Sequence, residues 1–190
     1  MHKTDVFQEN QTRGTFDFPI EYYFVDKNHP RYQMPFHWHI EYELVLIRHG
    51  SFTLRLDDET IQLNEGDTVL IPDGYIHGGI AKDCVYECIV FDFSRFLQES
   101  TIAKQSLMKT MTETIFNHHL FKQGTKASAI ADEIMVQMRT QPFGYELVVN
   151  GVIAAILLFV TGMFWMMSVF FLIFGVAADF ICASGDFKSF

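Results

Sequence analysis

Up to about residue 96 the chain is a succession of short apolar or alternating runs, cut apart by turn residues. The runs are IEYYFV, EYELVLI, FTLRL, TIQL, TVLIP and YECIVFDF, and the breaks are DKNHP, RHGS, DDE, NEGD and PDGYIHGG. Gly, Asn, Asp and Pro in those breaks supply the backbone conformations that tight turns need. Many short strands at close spacing point to a sandwich or barrel rather than a parallel α/β sheet. Residues 1–96 are therefore expected to form one all-β unit.

The period then changes. Across 97–141, apolar residues fall three and four apart: Leu107, Met111 and Ile115, then Ile130, Ile134 and Met138. This spacing predicts two amphipathic helices, with Gly124 as a stop between them and His118 and His119 on the first. Pro142 opens a third segment that can begin as another helix. Residues 97–158 are read as a helical, dimer-forming segment.

Residues 147–178 contain no charged side chain, and 159–190 form an apolar tail rich in Phe and Met. Three accounts compete for it. At 1.5 Å per residue, the stretch 151–178 is long enough to cross a bilayer. It also fits a helix buried against a partner. The third account is an out-of-frame product, because the amphipathic pattern decays near residues 155–159; truncation is the account adopted as the expectation.

Composition narrows the function. The chain has 14 Lys and Arg against 23 Asp and Glu, a net charge of −9, and no run of cations to neutralise phosphates. Specific DNA binding by this chain is not expected. Cys84 and Cys88 lie four apart on a predicted strand, their Cα atoms about 13 Å apart, too far to bridge. The polar N-terminus, MHKTDVFQENQTRGTFDF, has no apolar core like that of a secretory signal. A cytoplasmic setting is expected.

The stretch PFHWHIEYELVLIRHG carries the chemistry. On a strand alternate side chains share a face, so His37, His39, Glu41 and Glu43 point one way and Trp38, Ile40, Tyr42 and Leu44 the other. If the strand curls, two imidazoles and a carboxylate converge on one point. His77, just beyond the turn Pro72-Asp73-Gly74, is placed to supply a fourth group. Three histidines and a glutamate suit Zn, Fe, Mn, Ni or Co without choosing among them. Two other readings remain open: polar contact with a metabolite, and histidines that only satisfy buried partners. Glu41 is read as a rim carboxylate, His49 as solvated, and Tyr75 as an aromatic at the mouth of the pocket.

The spacing His37-x-His39-x₃-Glu43-x₆-Gly50 resembles the first cupin motif, with Arg31 where a leading Gly stands. Gly66-x₅-Pro72-x-Gly74-x₂-His77 resembles the second, with Ala81 where a terminal Asn stands. More narrowly, residues 22–158 resemble the N-terminal effector-binding and dimerisation domain of AraC-type transcriptional regulators. The resemblance implies an all-β cupin, a double-stranded β-helix or jelly-roll barrel, followed by C-terminal α-helices. It implies a small polar metabolite such as a sugar as effector, contacting His37, His39, Glu43, His77 and Tyr75, and a homodimer formed through the helices. It further implies that the helix-turn-helix DNA-binding half, which should follow residue 158, is lacking from this chain. The expected role is a sensor rather than an enzyme. The alternatives are a metal-dependent cupin enzyme of isomerase or dioxygenase type, using His37, His39, Glu43 and His77, and a membrane-tethered cupin sensor.

Overall fold

The structure is a computed structural model and describes residues 7–92 and 119–160. Eight strands precede two helices: β1 (Phe7–Gln8), β2 (Ile20–Val25), β3 (Met34–Trp38), β4 (Tyr42–Leu56), β5 (Glu59–Asn64), β6 (Thr68–Ile71), β7 (His77–Phe91), β8 (His119–Phe121), α1 (Lys126–Thr140) and α2 (Tyr145–Val160).

The long strands β4 and β7 organise everything else. They pair antiparallel from Tyr42 opposite Phe91 to Leu56 opposite His77, with register shifts around His49. At that point Gly50 has φ 72°. A Cβ there would lie 2.0 Å from the Asp83 carbonyl oxygen, so only glycine lets β4 bend this close to β7. On one side of the bend, residues 42–47 and 86–91 are flanked by β6 and β2, with β8 beyond β6. On the other side, residues 51–56 and 77–82 are flanked by β5 and β3, with β1 beyond β3. Two sheets thus share two bent strands, the jelly-roll layout of a cupin.

Strand alternation sorts the core into two. Val45 and Ile47 join Val69, Ile71, Phe52, Leu54 and Tyr86 between the sheets. Leu44 and Leu46 point the other way, with Leu70 and Ile89. Left bare, that outer face would expose a large apolar surface; α1 and α2 cover it with Ala131, Ile134, Met135, Met138, Val149, Ile153 and Ile156. Each fully buried aliphatic side chain contributes about 1.5–3 kcal/mol. Thr125 caps α1 by accepting the Ser128 N–H at 3.2 Å, and the helix ends at Gln141, which is left-handed and followed by Pro142.

Several expectations meet this description. Ile134 and Met138 are buried and Ile130 is partly so, as the helical spacing requires. Leu107, Met111, Ile115 and His118 lie outside the described residues. His119 is not helical: it begins β8, which pairs with the free edge of β6, so the sheet takes a strand from beyond residue 96. Cys84 and Cys88 are free and buried.

The membrane account is corrected where it can be seen. Among the described residues no helix is long and apolar enough to cross a membrane. The first part of the expected span lies on α2, where Ile153 and Ile156 are buried in the protein's own core rather than facing outward. The tail from 161 lies outside the described residues.

Candidate metal centre

The four motif residues meet, although not on one strand. His37 sits near the end of β3, Glu43 near the start of β4, and His39 in the link between them; His77 is the first residue of β7. The continuous strand expected over 37–43 is therefore broken at 39–41. The break serves the site. β3 and β4 pair with opposite edges of β7, so the link crosses the barrel end and carries His39 over Glu43. His37 and His77 face each other directly as a cross-strand pair.

All four side chains are buried, and one ligand atom from each lies within 4.8 Å of all the others. Imidazole centroids are 4.2 Å apart for His37 and His77, 4.9 Å for His39 and His77, and 5.5 Å for His37 and His39. Each Nδ1 lies within hydrogen-bond distance of a backbone carbonyl two residues away. His37 bonds Pro35 at 2.9 Å, His39 bonds Glu41 at 3.0 Å and His77 bonds Tyr75 at 2.9 Å. A carbonyl only accepts, so each Nδ1 carries a proton, and in the neutral ring each Nε2 then presents a lone pair. Those Nε2 atoms turn inward: His39 and His77 approach Glu43 Oε2 at 3.2 and 3.0 Å.

Lone pairs aimed at a carboxylate repel unless something positive sits among them. A proton on an imidazole is one solution, and a divalent cation is the other. Carbonyl-anchored imidazoles with free Nε2 atoms are the arrangement found around metal-ligating histidines. The donor set therefore fits a borderline cation such as Zn, Fe, Mn, Ni or Co.

The electrostatics are divided within the cluster. Burial, then the charge of His77, push His37 down to about 4, so at neutral pH it is a neutral ligand. Burial also disfavours charge on His39, but the hydrogen bond and charge of Glu43 outweigh it and raise its pKa. Burial works against ionised Glu43, yet protonated His39 and His77, which then donate from Nε2, hold it well below the usual carboxylate range. Against it lies Cys88, pushed far up by burial and by the Glu43 charge, and so kept as a thiol.

Other expected residues fall differently. Tyr75 supplies its carbonyl to His77, while its ring is partly buried against the inner core. Glu41 is not a rim carboxylate: the broken strand tucks it in at 9% exposure, with Oε2 3.7 Å from His39 Nδ1. His49 is 71% exposed and pairs with Glu65, as a solvated turn residue should.

Three residues had no sequence signal. Glu9, Arg13 and Arg31 line a cavity together with His37 and Glu43. Glu9 and Arg13 follow β1, which pairs parallel to β3 with Phe7 opposite His37, and Arg31 lies in the connection that leads into β3. Nothing in a polar N-terminal stretch announces such docking.

The sequence family described as AraC-like ligand binding domain matches residues 19–148. The chain belongs to that family. A relative, the uncharacterized HTH-type transcriptional regulator YdeC of Bacillus subtilis (strain 168), is 35% identical over 80 residues, 40% of this chain. The match spans only 27% of the length of YdeC. Among solved structures, an rmlc-like cupin family protein from Methanocaldococcus jannaschii is 25% identical, with a TM-score of 0.31 over 38% of this chain and 66% of that one. An apo ToxT variant from Vibrio cholerae is 14% identical, with a TM-score of 0.48 over 83% of this chain and 57% of that one. Within this AraC-like ligand binding domain, the buried His37, His39, Glu43 and His77 cluster is the chemically distinctive feature.

Proposed function

We propose that the domain senses a small polar metabolite at the barrel end bearing His37, His39, Glu43 and His77, and passes the signal to its helices as part of a transcriptional regulator. The observation that carries this reading is the set of three carbonyl-anchored imidazoles whose Nε2 atoms converge with one carboxylate. The same four residues would hold one divalent transition metal ion. Such an ion supplies a Lewis-acidic anchor for an oxygen of the metabolite. The chain's own part is to fix tautomers, exclude water and present the cluster to the adjoining cavity.

A route for the signal follows from alternation on β4. Glu43 faces the cluster, while Leu44 and Leu46 next to it lie under α1 and α2. A shift of β4 on binding is felt directly by the helix pair. Phe143 just before α2, and Leu147 and Val148 in its first turn, are exposed, which supports homodimerisation through this end of the helices. A small-metabolite sensor of this kind belongs in the cytoplasm.

Elemental analysis of the purified chain is expected to give close to one equivalent of a divalent transition metal, lost in His39→Ala. Sedimentation with and without a bound metabolite should then show a change in dimerisation. A metal-free chain overturns the ion, and a self-association unaffected by any bound metabolite overturns the sensing mechanism. Turnover of a bound metabolite, abolished in Glu43→Ala, favours the enzyme reading instead.

A further inference from the structure

The cavity beside the cluster is unusual for what already fills its wall. Its volume is about 40 Å³, room for a few atoms, and Glu9, Arg13 and Arg31 share its lining with His37 and Glu43. Glu9 bridges the two guanidinium groups. Its Oε2 accepts from Arg13 Nη2 at 2.7 Å and its Oε1 from Arg31 Nη1 at 2.6 Å. The same Oε2 lies 3.5 Å from His37 Nε2, the nitrogen that faces the cluster. Burial disfavours the ionised form of Glu9, but the hydrogen bonds from Arg31 and Arg13 outweigh it and keep the carboxyl below its usual range.

Arg13 is the more telling of the two cations. Its side chain is 2% exposed, and its remaining contacts are the Tyr23 hydroxyl and Gln11 Oε1. Its Nε is buried with no hydrogen-bond partner. A buried guanidinium with an unused donor, lining a cavity, calls for another acceptor. Among the cavity-lining residues named, Glu9 alone gives both arginines a counter-charge. A neutral hydroxyl in its place would leave the buried Arg13 and the partly exposed Arg31 without a counter-charge, whereas a carboxylate would not.

From this we infer that the cavity's ligand is a small carboxylic acid of about two to four carbons, whose carboxylate takes the position Glu9 holds between Arg13 and Arg31. The inference rests on the sensing reading and narrows its ligand class from polar metabolites to acids. Glu9 is a chain-borne carboxylate occupying the acid's place. It can be exchanged because, among the described residues, β1 is held by two strand pairs, Phe7 with His37 and Gln8 with Trp38, and one further bond from Glu9 N to Trp38 O.

The test is calorimetric titration of the full chain with lactate and with its neutral analogue lactamide, and of the Glu9→Gln and Arg31→Gln variants with lactate. Lactate should bind at least 100-fold more tightly than lactamide. Glu9→Gln should tighten lactate binding about tenfold by removing the internal competitor, and Arg31→Gln should abolish it. Equal binding of acid and amide, no gain in Glu9→Gln, or preference for inorganic phosphate over lactate overturns the inference. If Arg31→Gln does not fold, the acid and amide comparison on the unaltered chain decides alone. Binding of a neutral sugar with no response to lactate, pyruvate or succinate overturns the acid assignment and leaves the sensing reading standing. No binding by either set overturns both.

Discussion

Glu43 on β4 and Glu87 on β7 are both buried, on neighbouring strands of one ladder, and their surroundings differ in kind. Glu87 faces outward under α1, its side chain 0% exposed. It accepts from the Tyr22 hydroxyl, from Arg48 Nε and from Arg139 Nη1, and Arg48 continues to Asp132 on the helix. Glu43 faces inward and meets imidazole nitrogens whose protons are committed elsewhere. The first carboxylate is matched by two guanidinium groups and a hydroxyl, donors that keep their protons at ordinary pH, so its needs are met whatever the solution holds. The second is matched by lone pairs, and is satisfied only when a proton or a cation joins it. A buried acid ringed by arginines fastens a helix to a sheet; one ringed by carbonyl-anchored histidines is a place for chemistry.

The largest test of that contrast is Glu87→Ala. It removes the buried carboxylate shared by Tyr22, Arg48 and Arg139, leaving Arg48 with Asp132 alone, and is expected to cost on the order of 3 kcal/mol in chemical denaturation. A cost below about 1 kcal/mol would make the network ornamental and remove half of the comparison.

Glu43→Gln should behave in the opposite sense. Metal affinity is expected to fall by at least about 100-fold in a competition titration. The stability of the metal-free chain should change less than in Glu87→Ala, because an amide N–H can donate to the waiting Nε2 atoms. Equal destabilisation by the two variants would mean that both glutamates are structural.

A third acid sharpens the scale. Asp67 accepts from Asn64 N, Gln123 N and Lys122 Nζ, tying the turn before β6 to the chain after β8. Burial works against its ionised form, but Lys122 and the two backbone donors outweigh it and lower its pKa. The unfolded chain therefore binds this proton more readily, so the stabilisation is complete above the ordinary value of 3.8 and is lost as pH falls through the folded one. Denaturation curves of Asp67→Asn should lie about 1 kcal/mol below the parent near pH 6 and converge with it in acid. A gap that persists in acid would assign the loss to packing instead.

The smallest effect is expected at His49, which is 71% exposed and paired with a Glu65 that is 57% exposed. His49→Ala should shift stability by no more than about 0.5 kcal/mol, since an exposed ion pair is screened and costs side-chain freedom. A larger shift would show that the bend beside Gly50 depends on this pair as well as on the glycine.

Much of the molecule could be read along the chain. Turn residues and alternation marked most of the strands, since a period of two and glycine-bearing breaks are local properties. The metal-type quartet was legible because its four members lie on two short motifs with fixed spacing. What failed was also local in appearance. The residues 37–43 looked like one strand because side-chain alternation does not show where the ladder changes partner. His119 looked helical because a three-residue edge strand has too few residues to set a period. Glu41 looked like a rim carboxylate because its burial depends on a link crossing the barrel.

By itself the sequence determined the all-β class, the amphipathic face of α1 and the identity of the four cluster residues. Each of these depends on backbone preference or on neighbours a few positions away. Tertiary structure alone decided that β3 and β4 flank β7, that three Nδ1 atoms are anchored and three Nε2 atoms converge, and that Glu9, Arg13 and Arg31 meet beside them. Those outcomes require residues far apart in the chain to meet, as His77 Nε2 meets Glu43 Oε2 at 3.0 Å across 34 positions. Spacing along a chain carries no record of such closure, because it is set by which sheet edges and apolar faces find each other on folding.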